Sequence, residues 1–172
     1  MTAQKHEIIL IDGREFGMTS TPLQPYLESL NKPSQFKFTV TSCWRGYVGT
    51  WELKGNKLFL IKLKGYRELK PLNEVLEADL TYLFPGKNEV FADWYTGTLR
   101  IPDGKMIEYI HMGFASVYER DLYIKFFNGV MIDYRIKTNS QDKVIPHQIK
   151  NKKTSSIMTM IEKIKNLIKR HK

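Results

Sequence analysis

A single cysteine, Cys43, stands among the 172 residues, which rules out an internal disulfide framework and a cysteine-built zinc site. No apolar run approaches the roughly 18 residues of a membrane-spanning helix. The segment before Ile8 lacks the apolar core of a secretory signal, so a cytoplasmic protein is expected. The chain carries no Walker loop, no Gly-x-Gly-x-x-Gly, no His-Glu-x-x-His and no Gly-x-Ser-x-Gly. His6, His147 and His171 fall in terminal or linker segments, away from the fourth histidine, His111. Neither a metal site nor a cofactor is therefore expected.

Charge is present but unevenly held. Residues 1–142 carry 18 Lys and Arg against 17 Asp and Glu, whereas residues 143–172 carry nine against one. The body is close to neutral and offers no stripe for a phosphate backbone. Three segments follow: a single β-rich domain over 1–142, a lysine-rich linker over 143–154, and a basic amphipathic helix over 155–172. In that helix Ile157, Met160, Ile161, Ile164, Leu167 and Ile168 share one face. Its Lys163, Lys165, Lys169 and Arg170 leave three roles open: docking on the body with the lysines in water, binding an anionic membrane surface, or meeting a protein or nucleic-acid partner.

Along the body, Glu7–Ile11 reads as a strand running into an Asp12-Gly13 turn. Thr21-Pro22 starts a short helix through Tyr26, Leu27 and Leu30 that Asn31-Lys32-Pro33 ends. Phe36–Thr41 alternates as a strand does. Tyr47–Leu53 and Lys57–Leu63 flank Gly55-Asn56 as a hairpin, and Asn128-Gly129 marks a second between Leu122–Phe126 and Val130–Ile136. Leu72, Val75, Leu76 and Leu80 fit helical spacing, ended by Phe84-Pro85-Gly86. Tyr47-x-Gly49-Thr50 recurs 48 residues on as Tyr95-x-Gly97-Thr98, with a turn expected at Pro102-Asp103-Gly104; duplication and convergence both remain open. Short strands and tight turns predict a mainly β fold. It is expected as an antiparallel barrel or strongly curved sheet, with a short N-terminal helix and the C-terminal basic helix.

Trp44-Arg45-Gly46-Tyr47-Val48-Gly49-Thr50-Trp51-Glu52, Phe91–Pro102, Tyr109-Ile110-His111-Met112-Gly113 and Tyr118–Leu122 together resemble a family of small uncharacterised bacterial proteins. The likeness covers about residues 43–132 and implies no functional residue. Gly49-Thr50-Trp51 bears a looser likeness to the first strand of lipocalin-type barrels, which implies a ligand cup, although the Gly55-Asn56 turn is shorter than theirs.

If both Tyr-x-Gly-Thr ribbons present the same face inward, Phe59, Ile61 and Leu63 are buried, and their counterparts Ile107, Tyr109 and His111 point inward too. Tyr47, Trp51 and Tyr95 then line an aromatic pocket or pack a core. Arg45 is placed to grip an anion, to stack on Trp94, or to cap the strand. The candidate ligand-binding residues are Arg45, Tyr47, Trp51, Trp94, Tyr95, Arg100, Tyr109 and His111. The expected function is non-enzymatic: a bacterial binding protein recognising a protein partner or small ligand through an aromatic-rich β-surface or cavity. Two alternatives stand beside it. One is a hydrolase-type enzyme using His111 with Glu119 or Asp93. The other is nucleic-acid or membrane-surface binding through the tail.

Overall fold

The computed structural model describes residues 2–31, 36–69 and 74–139. The linker and helix expected over 143–172, with Lys163, Lys165, Lys169 and Arg170, lie outside them. Among the described residues no helix is long and apolar enough to cross a membrane.

β1 (Glu7–Ile11) turns through Asp12-Gly13 into β2 (Arg14–Met18), and α1 (Gln24–Ser29) follows. β3 (Tyr47–Lys54) and β4 (Lys57–Leu69) form the hairpin expected around Gly55-Asn56. Next come β5 (Glu74–Ala78), α2 (Leu80–Leu83) and β6 (Val90–Phe91), all against β4. β7 (Gly97–Glu108), β8 (Val117–Phe127) and β9 (Val130–Thr138) complete the fold. Asn128 and Gly129 both have positive φ, 46° and 74°, the backbone that a two-residue hairpin turn requires.

Among the described residues the strands make one mixed, curved sheet in the order β2-β1-β3-β4-β9-β8-β7. It is not the closed antiparallel barrel. β1 and β3 run parallel, because the chain between them crosses over through β2 and α1 instead of turning back as a hairpin. β4 and β9 share a single residue pair, Lys57 with Val130. The two edges touch where Thr19 N–H donates to Arg100 O at 3.0 Å, just beyond the end of β2. Both halves feed one core. Ile9, Tyr47, Trp51, Leu58 and Leu60 come from one half, and Leu99, Ile101, Leu122, Ile124 and Phe126 from the other.

A bulge in β4 changes the expected inward face. Trp51 pairs with Leu60 and Thr50 with Lys62, so Ile61 is left over. One extra residue reverses the alternation. Leu58, Leu60 and Leu63 are therefore buried, while Phe59 and Ile61 are only partly so. The second Tyr-x-Gly-Thr segment does not fold as a hairpin at Pro102–Gly104. β7 runs on through those residues with register shifts between Asp103 and Glu108, since β8 pairs with it along nearly its whole length.

Two other segments depart from expectation. Phe36–Thr41 is not a strand. The segment lies beside β4 just past the last β3 pairing, Tyr47 with Gly65. Among the described residues it makes one backbone hydrogen bond to β4, Lys37 N–H to Tyr66 O at 2.6 Å, and is otherwise held by the side chains of Phe36 and Lys37 on Gly65 and Glu68. Val75 and Leu76 lie in β5, not in a helix. Among the described residues the helix nearby is α2, capped by Asp79 Oδ1 accepting from Thr81 N–H at 2.9 Å; Leu72 lies outside them. α1 also begins later than Thr21-Pro22 suggests, with Pro25 in its first turn.

Candidate ligand cleft

Side chains alternate along a strand, so the β3 face opposite Tyr47, Trp51 and Leu53 presents Val48 and Thr50. Beyond the bulge, Lys62 and Lys64 join that outer face. Ile8 pairs with Thr50 and Thr50 with Lys62, while Val48 pairs with Lys64. These two cross-strand rows make a floor. Thr39, Val40, Ser42 and Cys43 form the facing wall, and Lys5, Gly46, Tyr47 and Tyr66 complete a cleft of about 450 Å³.

The wall is clamped to the residues just before β1. Lys5 N–H donates to Ser42 O at 2.7 Å, Gln4 Nε2 to Thr41 O at 2.9 Å, and Trp44 N–H to Gln4 Oε1 at 2.9 Å. Phe36 anchors the same segment by packing on Gly65, where an added Cβ would fall 2.7 Å from the Phe36 ring.

Three lysines line this cleft and no carboxylate does. Elsewhere on the same ribbon lysines have partners: Lys54 meets Glu89 and Glu52, and Lys57 lies over the Phe91 ring. At the cleft margin Lys37 pairs with Glu68 at 2.6 Å. Lys5, Lys62 and Lys64 form no ion pair within the described residues. Lys62 and Lys64 share one strand face about 7 Å apart along the backbone, inside a physiological Debye length of about 8 Å. The cleft is therefore a locus of positive potential on an otherwise balanced body.

On the inner face, behind the cleft floor, Glu7 is buried. Arg45 Nε donates to its Oε1 at 3.0 Å and Trp51 Nε1 to its Oε2 at 2.6 Å. Arg45 Nη2 also holds Lys5 O at 2.9 Å. Gly49 permits this arrangement, because a Cβ there would sit 2.5 Å from Glu7 Oε2 and 2.7 Å from Trp51 Nε1. Burial pushes the Glu7 carboxyl up to about 7, although Arg45, Trp51 and the Gly49 backbone pull the other way. The Tyr47 hydroxyl beside them is buried and has no hydrogen-bond partner among the described residues, and burial together with Glu7 raises it well above the ordinary tyrosine range. Burial, with Arg100 and Arg45, lowers His6.

The residues singled out from sequence are dispersed. Tyr47, Trp51 and Tyr95 belong to the core, and burial pushes Tyr95 up to about 12. Arg45 grips Glu7 and lies 5.5 Å from the Tyr47 ring centroid, not over Trp94. Trp94 stacks on Phe84 and donates to Pro22 O at 3.0 Å, closing one side of α1. Arg100 pairs with Asp121 and binds the carbonyls of Phe114 and Ser116.

His111 does not point inward. It is exposed past the end of β7, where its Nδ1 lies 2.9 Å from the hydroxyl of exposed Tyr109. The bulged course of β7 breaks the analogy with Leu63. No carboxylate bonds to His111 among the described residues; Asp93 is exposed in a turn and Glu119 half-buried in β8. No cluster of three metal-ligating side chains occurs among the described residues.

Sequence reasoning missed Lys5, Thr39, Ser42 and Tyr66 as neighbours of Lys62 and Lys64. The alternation of Lys62, Lys64 and Tyr66 on β4 is a local signal; Lys5 arrives through the parallel β1–β3 pairing, and Thr39 and Ser42 through the loop clamped to Gln4 and Lys5. A smaller recess of about 300 Å³ on β7–β9 mixes Lys125 and Arg135 with Asp133, so its charges offset only in part. No protein-family model, curated protein or solved structure matches the chain.

Proposed function

We propose that this protein is a non-enzymatic binding protein that holds a small ligand in the cleft between the outer face of β3–β4 and residues 39–43. The observation that carries this reading is the cleft itself. Its volume of about 450 Å³ falls in the range of small-molecule sites, roughly 300–1,000 Å³, which pair apolar walls with a few convergent polar groups. Ile8, Val40, Val48 and Tyr66 supply the walls, while three lysines and the hydroxyls of Thr39, Ser42 and Thr50 supply the polar groups. The exposed position of His111, without a carboxylate partner, favours binding over the hydrolytic alternative.

The neutral fluorophore N-phenyl-1-naphthylamine tests this. Saturable one-to-one binding that Val48→Trp abolishes, with the circular dichroism spectrum unchanged, is the expected result. Ser42→Trp blocks the opposite wall and serves if the first variant fails to fold. Absent saturation, or binding indifferent to both plugs, overturns the reading.

A further inference from the structure

We infer that the cleft takes an amphipathic organic anion, a carboxylate or phosphate head on a short apolar body; this rests on the small-ligand reading above. The inference comes from where charge and apolar surface lie within the cleft. Lys62 and Lys64 stand in adjacent cross-strand rows, opposite Thr50 and Val48, and Lys5 joins them in the lining. Three ammonium groups without a carboxylate repel one another, and an anion among them turns that repulsion into attraction. Lysine serves here as a compact, mobile point charge that accepts either a carboxylate or a phosphate.

The hydroxyls of Thr39, Ser42 and Thr50 add donors for the remaining head-group oxygens. Ile8, Val40, Val48 and Tyr66 line the same space. A bare inorganic anion would leave that apolar surface wet, and a neutral apolar molecule would leave the lysines unmatched. An anion with an apolar body answers both.

Displacement of N-phenyl-1-naphthylamine from the full chain, below micellar concentrations, separates the possibilities. Octanoate and octyl phosphate should displace the probe at concentrations at least about tenfold lower than octanol or octyltrimethylammonium, a factor worth about 1.4 kcal/mol. Whichever of the two anions is stronger identifies the head group. In the Lys62→Gln/Lys64→Gln double variant the advantage should fall to about twofold or less, while Lys87→Gln, on a distant loop, keeps it. Salt should weaken the anions and leave octanol unaffected. Octanol displacing as well as octanoate, or an advantage untouched by the double variant, overturns the anion inference while leaving the cleft as a ligand site. Probe binding that survives Val48→Trp and Ser42→Trp instead defeats the small-ligand reading itself.

Discussion

Two arginine–carboxylate pairs hold this sheet, and they are built on opposite principles. Arg45 and Glu7 meet on the inner face, where the side chains are 10% and 0% exposed. Glu7 draws its donors from two side chains and one backbone amide and is otherwise surrounded by core. Arg100 and Asp121 meet on the outer face, at 23% and 3% exposure. There the guanidinium is also bound by two backbone carbonyls, and Asn139 donates to the second Asp121 oxygen at 2.7 Å. Both carboxylates are buried, but Arg100 is the more exposed arginine, and in the second pair peptide carbonyls and Asn139 share the solvation of the charges. The same two functional groups therefore differ in what their loss should cost.

The largest effect is expected from Arg45→Ala. It strands Glu7 without its cation, and removing one partner of a buried pair costs about 3–5 kcal/mol. Urea denaturation at pH 9, above the folded Glu7 value of about 7 so that the carboxylate is ionised beside Arg45, measures this, and a loss below that of Arg100→Ala would reverse the comparison. The penalty should shrink at pH 5, where Glu7 escapes by taking up a proton.

The pH profile isolates the same carboxylate. Its folded value of about 7 lies above the ordinary 4.5, so between those limits the native state binds a proton that the unfolded chain releases. The stabilising share is complete below about pH 4.5 and is lost as pH rises toward 7, an amplitude of about 3 kcal/mol. Glu7→Gln should remove that slope. His6, lowered by burial, acts in the opposite sense at acid pH, so the difference between wild type and Glu7→Gln is the informative quantity. Parallel profiles for the two proteins would show that Glu7 stays ionised throughout.

Arg100→Ala should cost less, about 2 kcal/mol, in line with charge-assisted hydrogen bonds that water replaces in part. The accompanying readout is local. Amide exchange should quicken in residues 110–116, where Arg100 holds the carbonyls of Phe114 and Ser116, and leave β3 unchanged. Uniform quickening across the sheet would mean that both pairs bear on one cooperative unit.

How much of this was legible beforehand follows from the range of the interactions. The Gly55-Asn56 and Asn128-Gly129 hairpins were readable because a two-residue turn writes its backbone demand into adjacent residues. Glu7 with Arg45 was not, because the pair joins residues 38 apart across a parallel strand pairing that leaves no local mark. The same crossover hid Lys5 from Lys62 and Lys64. Ile61 misled in another way. A single bulged residue in an unbroken apolar run reversed the inferred face of β4, and the error passed by analogy to His111. Phe36–Thr41 had the alternation of a strand, yet it meets β4 through one backbone hydrogen bond at Lys37 and otherwise through the side chains of Phe36 and Lys37, which only the assembled sheet reveals.

The third member of the series sharpens the comparison at its weak end. Arg120 and Asp103 face each other across β7 and β8 just before the register shift, with Arg120 Nη2 2.7 Å from Asp103 Oδ2. The distance matches those of the other two pairs, but the side chains are 31% and 15% exposed. Water solvates both charges in the native state as well as in the unfolded one, so little free energy depends on their meeting. Arg120→Ala should therefore cost less than about 1 kcal/mol, and salt near 1 M should erase the difference. If the three arginine variants fall in the order Arg45, Arg100, Arg120, burial of the pair and not the length of the ion pair sets the energy. An Arg120→Ala loss equal to that of Arg100→Ala would instead assign the energy to contact geometry, and the distinction between rim and core would disappear.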